Sequence, residues 1–82
     1  MEERNQNNNL DKDEFLKALG KQIKNLRESK GLSAAEFARR AYMERSHVAR
    51  LESGGTNPTS TTLKVICTAL EIDMEDLFKD FH

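Results

Sequence analysis

One cysteine, one proline, one tyrosine and no tryptophan occur in these 82 residues, and each scarcity excludes something. Cys67 alone cannot close an internal disulfide, which agrees with a reducing environment. No apolar run approaches the ~20 residues that span a bilayer. The acidic, Asn-rich start lacks the apolar core of a signal peptide, so the expected compartment is the cytoplasm, with no membrane partner. His47, His82 and Cys67 form no metal-ligand spacing. No Ser/His/Asp or paired-carboxylate arrangement stands out, and no glycine loop suits a phosphate group. The reading is a chain without catalytic residues, metal or cofactor.

Net charge is also scarce, at −1, but its distribution is uneven. Residues 17–50 hold nine Lys/Arg against Glu28, Glu36 and Glu44, a local +6. Residues 1–16 sum to −3 and residues 51–82 to −4. A dipolar protein of this kind can meet phosphates with its basic middle while the acidic ends face away; solvated helix faces carry scattered charge just as well.

What is present is helical patterning in a chain sized for one domain. Residues 1–12 are polar and low in complexity, and they read as a disordered tail with little to bury. The domain is placed at 13–82. Asp11 or Asp13 caps a first helix, whose stripe is Leu16, Leu19, Ile23 and Leu26, widened by Phe15. It ends near Lys30 with Gly31 as a left-handed cap. Gly20 sits mid-helix at a cost of ~1 kcal/mol against alanine, through close packing or simple tolerance. Ser33 and Glu36 have capping-box spacing, opening a second helix to Ala41 with Phe37, Ala38 and Ala41 inward. A third helix runs from Arg45 to Ser53, with Val48 and Leu51 inward and Arg45, Ser46, Ala49 and Arg50 outside that stripe. Gly54-Gly55 stops it. Thr59 caps a fourth helix with Leu63, Ile66, Cys67 and Leu70 as its stripe, and Cys67 reads as a small buried hydrophobe. Asp73 caps a fifth with Met74, Leu77 and Phe78, and Phe81 continues that face. The expected fold is all-α, in five short helices. A short helix with one buried side and arginines on the other suits the major groove of DNA.

In this order and spacing the residues resemble the phage-repressor and Cro type of helix-turn-helix domain, the XRE-like family with a five-helix lambda-repressor-like fold. The likeness covers roughly residues 17–79. It rests on G-K-Q-I-K-N-L-R-E-S-K-G-L-S from Gly20, E-F-A from Glu36, and S-H-V-A-R-L-E from Ser46. G-x-x-N-P ending at Pro58 and A-L-E-I-D-M-E-D-L-F from Ala69 complete it. The resemblance implies a sequence-specific regulator of transcription, repressor or controller in type, that binds double-stranded DNA as a homodimer. Its third helices would enter successive major grooves, half-sites about one helical turn apart. By position, Arg45, Ser46, Ala49 and Arg50 would face base edges, with Arg45 and Arg50 donating to guanine O6 and N7. Ser33, Ala34, Gly55, Thr56 and Asn57 would meet phosphates. Beyond those matches, Tyr42 offers its hydroxyl to a phosphate, His47 is set at a phosphate or an outer base, and Arg40 at a phosphate or in solvent. Arg27 and Glu52 would form a structural ion pair. Met74, Leu77, Phe78 and Phe81 are assigned to a dimer interface, with completion of the core as the other reading.

Three residues depart from the family pattern. Tyr42 stands where the turn between helices two and three usually has glycine. Ala34 and Ala35 replace a glutamine that grips the DNA backbone. Glu44 replaces the Ser/Thr cap of helix three and brings negative charge close to the DNA. They keep open a second reading, in which the same fold serves as an antitoxin or protein-interaction module with DNA binding secondary. The expected protein partners are then a toxin, or RNA polymerase for a regulator.

Overall fold

A computed structural model describes residues 2–79, with side chains from Lys12 onward. It has five helices: α1 (Glu2–Ser29), α2 (Ala34–Arg40), α3 (Arg45–Ser53), α4 (Ser60–Leu70) and α5 (Met74–Leu77). There is no strand among the described residues. The weak β-branched content around Thr61 to Ile66 lies inside α4, where packing of one apolar face overrides local preference. Helix α1 begins at Glu2, well before the start expected at Asp11 or Asp13. Nothing between Glu2 and Leu19 is glycine or proline. Extending a packed helix adds one hydrogen bond per residue without a new nucleus.

The caps explain most of the remaining boundaries. Gly31 is left-handed at φ 73, and Leu32 N–H donates to Arg27 O at 3.1 Å, which closes the end of α1. Ser33 Oγ accepts from Glu36 N–H at 3.1 Å and starts α2. The expected reciprocal half of this capping box is replaced. Glu36 turns its carboxylate to Arg39 Nη2 at 2.6 Å and Arg40 Nε at 3.5 Å, because charged donors one turn away bind it more strongly than a backbone N–H. Thr59 Oγ1 accepts from Thr62 N–H at 3.1 Å and starts α4. At α5, Asp73 N–H donates to the Asp76 carboxylate at 3.1 Å.

The core is contiguous. Leu19 and Ile23 of α1, Phe37 and Ala38 of α2, and Val48 and Leu51 of α3 are buried with Ile66, Cys67, Ala69 and Leu70 of α4 and Leu77 of α5. Each large side chain fully buried here is worth about 1.5–3 kcal/mol relative to exposure. The expected stripes hold in their centres, while Leu16 and Leu26 at the two ends of the α1 stripe are only half-buried. Leu63 is only half-buried while Ala69 is buried. Phe15 stays 42% exposed, but it stacks on Phe78 with ring centroids 6.3 Å apart and planes 7° from parallel. The stack ties the middle of α1 to the far end of the chain.

Helices α1 and α3 meet backbone to backbone. A Cβ at Gly20 would strike Leu51 O and lie 2.6 Å from Glu52 O. Gly20 is therefore a contact point, which settles the choice between close packing and tolerance in favour of packing. It lets α1 lie directly against the last turn of α3, and so fixes where α3 sits.

Candidate nucleic-acid interface

The turn that leads into α3 is built around Tyr42. Its backbone is left-handed at φ 56, a conformation that costs a non-glycine residue roughly 1–2 kcal/mol. That conformation lets Met43 N–H reach Ala38 O at 2.9 Å and brings Met43 onto the core. So the turn keeps the shape a glycine would give it, with a tyrosine ring 96% exposed at its tip. Glu44 is the N-cap of α3 and makes no side-chain cap bond. At the other end Gly54 is left-handed at φ 82, and Gly55 N–H donates to Arg50 O at 2.8 Å. Those two glycines release the chain into the loop that carries Thr56 and Asn57.

Between these ends α3 shows two sides. Val48 and Leu51 are buried. Arg45, Ser46, Ala49 and Arg50 are exposed together with Ser53. Neither Arg45 nor Arg50 has an ion pair among the described residues, so both guanidinium groups are available to an outside acceptor. His47 lies at the edge of this side and is half-buried. Ser33, Gly55 and Asn57 are exposed and Thr56 is half-buried. Ala34 is half-buried against the core, which leaves its backbone rather than its side chain to meet a ligand.

Electrostatics separate the arginines into two kinds. Arg39 and Arg40 flank Glu36, and hydrogen bonding from Arg39 is the main reason that the Glu36 carboxyl sits below the ordinary carboxylate range. Arg40, expected at a phosphate, thus has a carboxylate 3.5 Å from Nε. Arg27 is of the other kind. Its Nε donates to Glu52 at 2.7 Å, Nη2 to the same carboxylate at 3.1 Å, and Nη1 to Leu32 O at 2.8 Å. Both side chains of the pair are only 10% exposed. Hydrogen bonding to Glu52 outweighs burial and keeps the guanidinium firmly protonated. One side chain thereby joins α1, the loop before α2 and the end of α3.

The dimer assignment needs one correction. Leu77 has no exposed surface at all, because its side chain points into the core from the last residue of α5. It cannot contact a second copy. Met74 and Phe78 are half-buried and pack on the core with part of their surface outward. Phe81 lies outside the described residues. Cys67 is buried, its Sγ 3.5 Å from Met74 Sδ, and burial pushes its thiol up in pKa.

Residues 23–77 match the helix-turn-helix family HTH_3. The chain belongs to this family. Among solved structures, the HTH_3 chain is similar to the restriction-modification controller protein C.AhdI from Aeromonas hydrophila. The two are 33% identical with a TM-score of 0.74, over 77% of this chain and 91% of that one. An HTH_3 family transcriptional regulator from Vibrio cholerae is 30% identical with a TM-score of 0.79, over 85% of this chain and 39% of that one. The controller protein C.Esp1396I, solved as a tetramer in complex with its natural 35 base-pair operator, is 25% identical with a TM-score of 0.74. That match covers 79% of this chain and 86% of C.Esp1396I. No curated protein matches the chain in sequence. Among the described residues no helix is long and apolar enough to cross a membrane, and no group of side chains has metal-binding geometry.

Two features of the site escaped the sequence. One is the backbone contact of Gly20 with the end of α3. The other is Lys17, whose Cα would lie 2.8 Å from a Cβ at Gly54. A signal existed in the three-residue spacing of Lys17 and Gly20, which brings the two onto neighbouring positions of α1. Its partner on α3 is a tertiary matter.

Proposed function

We propose that this HTH_3 protein is a sequence-specific regulator of transcription, of repressor or controller type, that binds double-stranded DNA as a homodimer. The single observation that carries this is the outer side of α3. Two arginines without an ion pair among the described residues and two small residues lie on a helix whose opposite side is fixed in the core. Arginine can donate two hydrogen bonds to guanine O6 and N7, while Ser46 and Ala49 allow close approach to base edges. Arg45, Ser46, Ala49 and Arg50 then read bases. The backbone at Ser33 and Ala34, the side chains of Arg40, Tyr42 and His47, and the loop of Gly55, Thr56 and Asn57 hold phosphates and set the register.

The likeness to C.AhdI and to operator-bound C.Esp1396I supports the controller type. The partly exposed surface of Met74 and Phe78, continued in sequence by Phe81, is the proposed contact between copies. A two-fold dimer presents two α3 helices one helical turn of DNA apart. Selection of bound duplexes from a random pool tests the proposal. The expected result is a palindromic site with half-sites spaced by about 10 base pairs. Recovery of no duplex, or of sequences without common bases, would overturn it.

A further inference from the structure

We infer that Lys17 and Lys21 of α1 form a second phosphate-binding edge, adjoining the Gly54–Asn57 loop and lengthening the DNA contact beyond the third helix. The inference rests on the DNA-binding role proposed above and names a part of the molecule that role left unassigned. Its main observation is the crossing of α1 and α3. A Cβ at Gly54 would lie 2.8 Å from Lys17 Cα, 2.9 Å from Lys17 N and 3.0 Å from its Cγ. The root of the Lys17 side chain is therefore in van der Waals range of the residue that opens the phosphate loop. Gly20, three residues on, touches the carbonyls of Leu51 and Glu52 and holds this geometry rigidly.

Chemistry and exposure agree. Lys17 and Lys21 are exposed, are one helical turn apart, and have no ion pair among the described residues. Residues at i and i+4 lie on one helical face. A lysine side chain is a long, flexible point charge with three donors and no acceptor, suited to a phosphate. The nearby acids of the crossing do not neutralise the pair. Glu52 is engaged by Arg27, and Asp13 and Glu14, four and three residues before Lys17 on α1, form no ion pair with it among the described residues. The partner is thus the phosphate backbone of the same duplex, next to the phosphates met by the loop. This edge adds affinity equally to all sequences and leaves base preference to α3.

The test is the salt dependence of binding to the selected duplex and to an unrelated one. Each phosphate neutralised contributes about 0.9 to the slope of log affinity against log salt. Lys17→Gln/Lys21→Gln is expected to lower that slope by about 1.8 on both duplexes, with an unchanged ratio of specific to non-specific affinity. Lys64→Gln/Lys79→Gln, exposed on α4 and beyond α5, is the matched loss of charge and is expected to leave the slope within experimental error. Equal far-UV circular dichroism and thermal midpoints of the two double variants establish that both are folded. A wild-type chain that binds with a steep slope, together with a Lys17/Lys21 variant that keeps it, overturns this inference alone. The same holds if both double variants lose slope equally, since net charge is then responsible. A wild-type chain that binds no duplex overturns the DNA-binding role and this edge with it.

Discussion

Arg50 stands exposed in the last turn of α3 with no carboxylate paired to it among the described residues. An arginine so placed has lost little on folding and has all its donors to offer a base. Arg50→Ala is expected to weaken binding to the selected site by about 1–3 kcal/mol and relax preference at one base pair. Competition binding against single-base variants of the site measures this. Equal loss on every sequence would make Arg50 a phosphate contact instead. Tyr42 offers a different residue-scale test. Its left-handed backbone costs roughly 1 kcal/mol, and its ring lies in solvent. Tyr42→Gly should therefore raise the thermal midpoint by about 4–8 °C for a domain of this size. If the hydroxyl meets a phosphate, the same variant loses DNA affinity while gaining stability. A drop in both would show that the ring supports the fold. Position in the family pattern was enough to mark Tyr42 as an anomaly. That the turn keeps the glycine conformation rather than a new shape required the backbone.

At the scale of elements, α3 is positioned from one side by bare backbone and from another by an ion pair. In an exposed helix Gly→Ala ordinarily gains up to about 1 kcal/mol. At Gly20 the added methyl would meet the carbonyls of Leu51 and Glu52, so Gly20→Ala is expected to lose about 1–3 kcal/mol in urea unfolding. A gain in stability would show that α1 and α3 separate at no cost. Arg27→Ala leaves Glu52 buried without its partner, with an expected loss of about 3–5 kcal/mol. Arg27→Met/Glu52→Leu removes both charges and should recover most of it, short of the bond to Leu32 O. If the double variant is no better than Arg27→Ala, the pair contributes net stability and not only specificity of packing. The elements themselves were largely legible, because capping residues and 3.6-residue stripes are local signals. Ser33, Thr59 and Gly31 sit at the ends they were expected to mark. The partner of Glu36 was misread because two arginines downstream compete for the carboxylate, and neither outcome is encoded in the cap spacing alone.

For the whole molecule the relevant quantity is the field. A nearly neutral chain carries its positive charge in residues 17–50, the part that holds α2, α3 and the exposed lysines of α1. If this field guides it to DNA, affinity must fall steeply with salt. Fluorescence anisotropy from about 50 to 200 mM salt should show losses of 10³-fold or more if six or more phosphates are met. A salt-independent interaction would favour a protein partner for this surface, of the kind an antitoxin would have. The uneven charge was visible from counting. That Lys17 stands beside the end of α3 depends on α1 crossing α3 at Gly20.

The sequence by itself determined a great deal here. Five helices, a first-to-last order of caps, the inward residues of α2 and α3 and the Arg27–Glu52 pair all follow from local chemistry or from the family pattern. So does the outward set Arg45, Ser46, Ala49 and Arg50, because helical geometry assigns faces once the core positions are known. Tertiary structure alone decided two things. It took Leu77 from a candidate interface into the core, where it is the one fully buried side chain of α5. And it set Lys17 against Gly54, because glycines on both helices let two backbones approach to a distance that no pattern within either helix specifies.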